Sequence, residues 1–385
     1  PYLGLNVIDF SQGVAGPYCA MLLAQNGANV IKIEPKEGDW SRTLGDQYGD
    51  HSAFSVAANL GKKSIVIDLK NKESKSIVDK IISKADIFIE GFRPGVIERL
   101  GYGYNALKKK NKNLIYLSIS GFGQNGPMSK KPAMDPIIQA FTGFMSENKG
   151  LDNYPHRTPV IIFDMMTALY ATQALASTLY SNKIKKNGKK IEISLMESAA
   201  AMQSIRLMAE YMNGPYEPAS APAGTFKTKD GWIQIIAVKN HEFIRFCNAV
   251  GWNKYTNDER FQTNAKRREH QNFLTKKIQT LFKTKITKYW QDLLTEAGVQ
   301  NEKVNTYTEF VNHEQTKAMD LISFVTQPGS KVKWPMPKIP GMSKYNSNTN
   351  LSKSPSIGEH TKDVMKGLGY SGKEILDYYK KRVIG

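Results

Sequence analysis

Short apolar runs and helix-length segments take turns through the first 125 residues, and few folds accommodate that order. The apolar runs are Leu5–Phe10, Val30–Glu34, Lys63–Leu69, Asp86–Phe92 and Leu114–Ser120. Between them, Pro17–Asn26 reads as a helix with proline near its first turn and Gly27 at its end. Asn71 is placed to cap another helix that runs to about Lys84. Strands separated by helices predict an α/β fold with a parallel sheet and right-handed crossovers. In such sheets ligands bind at the loops that follow the carboxyl ends of the strands.

Beyond a turn-rich stretch, Gly121 to Pro132, the spacing predicts a helix over Asp135–Met145 and a short strand over Val160–Phe163. A long helix over Met165–Tyr180, a strand over Ile191–Leu195 and a helix from Glu197 to Met212 are expected next. Residues 214–226 are rich in Pro, Gly and Ala and read as a linker, as do 327–342 with Pro328, Pro335, Pro337 and Pro340. This divides the chain into a large domain (1–213), a smaller α+β domain (227–326) and a carboxyl-terminal segment (343–385) that returns to the first. The small domain is expected to hold a strand at Trp232–Val238 and helices at His241–Val250, Arg267–Phe282 and Ile286–Ala297. A last helix is expected at Lys373–Lys381.

Composition removes several function classes. A hydrophobic fraction of 41% with 23% charged residues is that of a folded globular chain. No apolar run approaches the roughly 18–20 residues of a membrane helix. Two cysteines, Cys19 and Cys247, make no disulfide framework and no cysteine-rich zinc site. They fit a reducing compartment, and no basic-then-apolar leader pattern opens the chain, so a cytoplasmic location is expected. The net charge of +18 speaks to partners, not to fold. Its lysine clusters, such as Lys108-Lys109-Lys110 and the run 183–190, lack interleaved aromatics and read as solvated turns, not nucleic-acid platforms. An anionic small ligand carrying several phosphates is the simpler partner.

The candidate chemistry is sparse. Gly121-Phe122-Gly123-Gln124-Asn125-Gly126 matches G-x-G-x-x-G after a strand, but Pro127 follows and no helix starts there to hold a pyrophosphate. A flexible glycine loop beside a ligand is the better assignment. Asp164 stands between the expected strand and the long helix. It is either an N-cap or a carboxylate nucleophile, and backbone N–H groups at a helix start would keep it ionised for the second role. Asp135, between Met134 and Pro136, reads first as another N-cap. Arg93, which opens Arg93-Pro94-Gly95, can hold a phosphate or stand in solvent, and Arg42 and Arg99 are similar. The six histidines (His51, His156, His241, His270, His313, His360) include no H-x-x-x-H pair, so no metal site is expected. There is no G-x-S-x-G elbow.

A string of motifs in order resembles the family III CoA-transferases, whose superfamily includes formyl-CoA transferase, carnitine CoA-transferase and α-methylacyl-CoA racemase. The string begins with Leu5-Asn6-Val7-Ile8-Asp9-Phe10-Ser11, Ala15-Gly16-Pro17 and Gly27-Ala28-Asn29-Val30-Ile31-Lys32-Ile33-Glu34-Pro35. It continues through Gly38-Asp39 with Arg42, Asn59 with Gly61-Lys62-Lys63-Ser64-Ile65, Glu90-Gly91-Phe92-Arg93-Pro94-Gly95 and Arg99-Leu100-Gly101-Tyr102-Gly103. Ser118 to Gly123, Asp135 to Ala140 and the Asp164 element complete it, and the likeness is clear over residues 3–200.

The resemblance implies a Rossmann-like large domain plus a small one, in an interlocked homodimer. It implies transfer of CoA between carboxylic acids without a permanent cofactor, with CoA and acyl-CoA as substrates. Asp164 would be the nucleophile, ionised at neutral pH, with Gln12 beside the thioester. Arg42, Arg93 and Arg99, with Gly123, Lys131 and Asp135, would form the CoA site. Succinyl-CoA or another short dicarboxylyl-CoA is the expected donor. Acceptor contacts would come from residues 139–152 and the second domain. The racemases of this superfamily need a His-Asp pair where this chain has Met134-Asp135, and Met134 shuttles no protons, which favours the transferase reading. A non-catalytic CoA-binding protein is the other alternative. Some relatives carry a glycine-rich lid, and Ala221-Pro222-Ala223-Gly224-Thr225 is the nearest match.

Overall fold

A computed structural model of the chain describes residues 1–149, 153–182, 187–214 and 218–385. Parts of the 183–190 lysine run, of the 214–226 linker and of the 139–152 acceptor segment lie outside these residues. The chain divides into two compact units, Pro1–Tyr211 with Asp320–Gly385, and Met212–Met319.

The first unit is built on six strands: β1 (Asn6–Asp9), β2 (Asn29–Glu34), β3 (Lys63–Val66), β4 (Ile87–Glu90), β5 (Ile115–Ser120) and β6 (Lys190–Ser194). They lie in the order β3-β2-β1-β4-β5-β6, and every pair is parallel. Residues along each strand alternate between the two faces. Val7, Ile87, Ile89, Ile115 and Leu117 face one core, which includes Cys19 and Leu23 of α1 (Ala15–Gln25). Ile8, Phe88 and Tyr116 face the other, with Ile77, Val78, Ile81 and Ile82 of α2 (Ser74–Ser83). Burial on both faces explains why these strands read as unbroken apolar runs. Asn71 does not cap α2 directly; its carboxamide accepts the Glu73 N–H one turn earlier.

The segment expected as one helix from Asp135 splits. Helix α3 (Asp135–Phe141) stops before Gly143, whose φ of 83° belongs to the left-handed region that glycine tolerates. A one-turn helix, Phe144–Glu147, follows. Residues 160–163 form no strand. Helix α4 (Ile162–Asn182) starts inside that run, because the buried stripe Phe163, Thr167, Ala171 and Leu175 already has helical spacing. Asp164 therefore sits within the first helical turn and not before it. Helix α5 (Leu195–Met202) carries a capping box from Ser194 and Glu197, and α6 (Ser204–Asn213) follows it.

The second unit has an antiparallel sheet of β7 (Ala223–Lys227), β8 (Trp232–Ile236) and β9 (Gln300–Lys303). Its core joins Phe226, Ile233 and Ile235 to Phe243 and Phe246 of α7 (Asn240–Ala249), Phe282 of α8 (Gln271–Phe282) and Trp290 of α9 (Thr287–Glu296). The expected lid segment is largely strand here, since Ala223, Gly224 and Thr225 pair with β8.

The proline-rich stretch 327–342 is not a plain linker. It contains β11 (Lys333–Pro337), paired with β10 (Ile322–Thr326) in a two-stranded hairpin of the first unit. Pro335 and Pro337 are two residues apart on a strand with one free edge, where proline's missing N–H removes no ladder bond. Trp334 and Met336 alternate with them and pack on Met21 and Leu22 of α1. After this hairpin, α10 (Thr361–Gly367) and α11 (Gly372–Lys380) add Met365 and Ile375 to the core that holds Ile8.

Candidate active site

The strand order places the site. From β1 the chain builds outward through β2 and β3, then returns to the other side of β1 for β4 and β5. A crevice opens at the carboxyl ends where the order reverses. There the structure has a cavity of about 520 Å3. Gln12 enters it from the loop after β1, Arg93 from the loop after β4, and Ser120 and Gly121 from the end of β5. Asp164 lies on the wall, with Lys131, Trp40, Met134 and Ile137 around it.

Asp164 is half-buried, and its carboxyl is pushed up to about 7. Burial is the main cause, the charge of Asp135 adds to it, and the backbone N–H of Ala15 at the start of α1 opposes it. The sequence-based expectation that helix-start N–H groups keep Asp164 ionised is corrected here, because another residue takes them. The carboxylate of Asp135 accepts the N–H groups of Phe163 (2.6 Å) and Asp164 (3.2 Å). Asp135 is the first residue of α3, but it serves as the cap of α4. Gln139, one turn along α3, donates to Asp135 at 2.5 Å and accepts the Thr158 N–H at 3.0 Å. Asp135 is buried beneath the wall and does not line the cavity.

The loops around the cavity are held from behind. Gly16 lets α1 start against Ser11, where a Cβ would stand 2.3 Å from the Ser11 side chain. Glu90 accepts the Phe92 N–H at 2.9 Å and is hydrogen-bonded by the Ser118 hydroxyl. Gln124 of the glycine loop donates to that same hydroxyl at 2.8 Å. Burial pushes the Glu90 carboxyl up to about 7.

Of the residues singled out from sequence, Gln12, Arg93, Lys131 and Asp164 share the cavity. Arg93 and Lys131 are exposed cations at its edge. Arg42 is not available there. It is buried, with bonds to both Glu34 oxygens at 3.0–3.2 Å and to the carbonyls of Asp50 and Pro355 at 3.1 Å. A phosphate would have to displace Glu34 from inside the fold. Arg99 ends a one-turn helix and Gly123 sits in the glycine loop, and neither lines the cavity. Sequence reasoning missed Trp40, Phe92, Ile137 and the Ala15 N–H. Trp40 follows Gly38-Asp39 directly, a signal within reach, whereas a backbone donor leaves no trace in residue type. Among the described residues no three His, Cys, Asp or Glu side chains gather as a metal site.

Comparison with known proteins identifies the family. The family model for CoA-transferase family III matches residues 2–361. An acetyl-CoA:oxalate CoA-transferase of Acetobacter aceti is 33% identical over 86% of this chain and 89% of its own. A succinate–glutarate CoA-transferase of Agrobacterium fabrum is 29% identical over 96% of each chain. The crystal structure of a CAIB/BAIF family protein from Brucella suis superposes with a TM-score of 0.83 at 28% identity, covering 96% of this chain and 99% of that one. With a match of this extent, the chain belongs to CoA-transferase family III and is a transferase.

Proposed function

We propose that the protein moves CoA from a short dicarboxylyl-CoA, such as succinyl-CoA, to a carboxylic acid through covalent intermediates on Asp164. The observation that carries this is a carboxylate placed on the cavity wall at the strand-order reversal, with exposed Arg93 and Lys131 at the edge for an anionic ligand. The ionised Asp164 attacks the donor thioester carbonyl, which gives an aspartyl–acyl anhydride and CoA thiolate. The thiolate attacks the aspartyl carbonyl, releasing the donor acid and leaving an aspartyl-CoA thioester. The acceptor carboxylate attacks that thioester, and the same two steps run in reverse to give the new acyl-CoA. Thioester energy is conserved, so neither ATP nor a resident cofactor is required. Gln12, on the cavity wall, would meet the thioester oxygen, and N–H groups of the surrounding loops would stabilise the oxyanions. Met134 lies on the wall where a racemase needs a proton-transferring pair, which favours group transfer.

The CoA contacts are assigned to Arg93 and Lys131, and Arg42 to holding the fold. The strand order is that of Rossmann-type sheets, which supports the Rossmann-like reading. We further propose a cytoplasmic homodimer. Helix α6 presents Ile205 (80% exposed), Met208 (54%) and Tyr211 (91%), an apolar face that calls for a partner.

The test is isotope exchange. Labelled succinate incubated with succinyl-CoA and the protein should enter the thioester, and Asp164→Ala should abolish that exchange. Full exchange by Asp164→Ala defeats the assignment. No exchange by the wild type with any of a panel of acyl-CoA and acid pairs defeats the transfer reading.

A further inference from the structure

Beneath the Gln12 loop lie four charged side chains that the mechanism does not use: Asp9, Lys32, Asp39 and Lys62. Three are fully buried and Lys62 is 4% exposed. Lys62 Nζ meets Asp9 Oδ2 at 2.8 Å, Lys32 Nζ meets Asp39 Oδ2 at 2.8 Å, and the Lys32–Asp9 separation is 4.0 Å. Burial works against the charge on Asp9 and Asp39, yet Lys62 and Lys32 hold the Asp9 carboxyl below the usual range, and Lys32 with the Gly13 and Ser41 N–H groups holds that of Asp39 below it. Buried ion pairs contribute little net stability, so their presence calls for another reason.

The cluster's remaining bonds supply one. Asp9 Oδ1 accepts the Ser11 N–H at 2.9 Å, and the Ser11 hydroxyl as well. Lys32 donates to the Ser11 carbonyl at 2.8 Å. Asp39 Oδ1 accepts the Gly13 N–H at 2.9 Å. Lys62 donates to the Pro17 carbonyl at 2.7 Å. The backbone on both sides of Gln12, and just past Ala15, therefore ends on one neutral set of two cations and two anions.

We propose that Asp9, Lys32, Asp39 and Lys62 are positioning residues that fix this loop, so that the Gln12 side chain and the Ala15 N–H are held on the Asp164 cavity. The proposal rests on the reading of Asp164 as nucleophile. Displacing a catalytic group by about 1 Å can cost about 10²-fold in rate.

Two double variants test it. Lys32→Met with Asp39→Leu removes one cation and one anion together, which buried pairs tolerate, and leaves the Ser11 carbonyl and the Gly13 N–H without their partners. Lys32→Gln with Asp39→Asn removes the same charges but keeps a donor for Ser11 and an acceptor for Gly13. The first should lower kcat by about 10²-fold while KM for acyl-CoA changes less than about threefold. The second should stay within about fivefold of wild type. Loss of the Ala15 N–H should also move the Asp164 titration upward, with Asp135 beneath the cavity wall, and Arg93 and Lys131 at the cavity edge, the other charged groups around it. The carbon-13 carboxyl signal of Asp164, assigned by its loss in Asp164→Asn, reads that shift without turnover. An inactive wild type together with an upward shift in Lys32→Met/Asp39→Leu counts against the transferase reading and supports the positioning one. Wild-type kcat and titration in folded Lys32→Met/Asp39→Leu overturn the proposal, and so do equal losses in the two double variants. If the first variant does not fold, Lys32→Met with Asp39→Asn drops the Ser11 contact alone, and unchanged kcat and titration there overturn it.

Discussion

The chemistry turns on one carboxyl whose proton is held more tightly than usual. Asp164 must be ionised to attack, and its group is pushed up to about 7. Below that value kcat/KM should fall about tenfold per pH unit and should level off above it, as a pH–rate profile would show. The same shift has a sign for stability. In the unfolded chain the group releases its proton near 3.9, so between about pH 4 and 7 the folded state binds more protons and stability falls as pH rises. Asp164→Asn should thus raise the unfolding free energy at pH 8 by about 1–3 kcal/mol, seen as a higher Tm, and leave it unchanged at pH 4. The long helix that carries Asp164 was legible in the sequence because helical spacing is local, but the strand expected before it does not form. Its ionisation was not, because Asp135 and the Ala15 N–H come from distant segments.

At the scale of elements, capping is shared between helices. Asp135 begins α3 and satisfies the amino end of α4, so each helix fixes the other. The strands of the sheet were readable because burial on both faces writes continuous apolar runs. The hairpin of β10 and β11 was not, because prolines at an exposed edge look the same in sequence as prolines in a linker. Arg42 shows the same limit. A charged residue in a familiar motif gives no sign of whether it faces ligand or fold. Here it ties β2, through Glu34, to the carboxyl-terminal segment at Pro355. Arg42→Ala should cost about 3–5 kcal/mol of stability, seen in denaturant unfolding, by leaving Glu34 unpaired inside. Arg93→Ala should leave the unfolding curve in place and raise KM for acyl-CoA about tenfold, the split that separates a structural arginine from a ligand-facing one.

At the scale of the whole molecule, the chain divides into two units, and the return to the first comes at Asp320, before the prolines read as a linker in sequence. Which face of α6 meets solvent depends on the assembled fold and was not visible in the chain. The proposed dimer should elute with twice the chain mass in light scattering, and Met208→Glu with Tyr211→Glu should shift it towards monomer. The central claim, that Asp164 carries CoA, is tested most directly by intact-mass measurement after mixing the protein with succinyl-CoA, followed by peptide mapping. A CoA adduct on the peptide holding Asp164, released by an acceptor acid and absent from Asp164→Asn, is the predicted result. An adduct on another residue, or transfer activity that persists in Asp164→Asn, would contradict it.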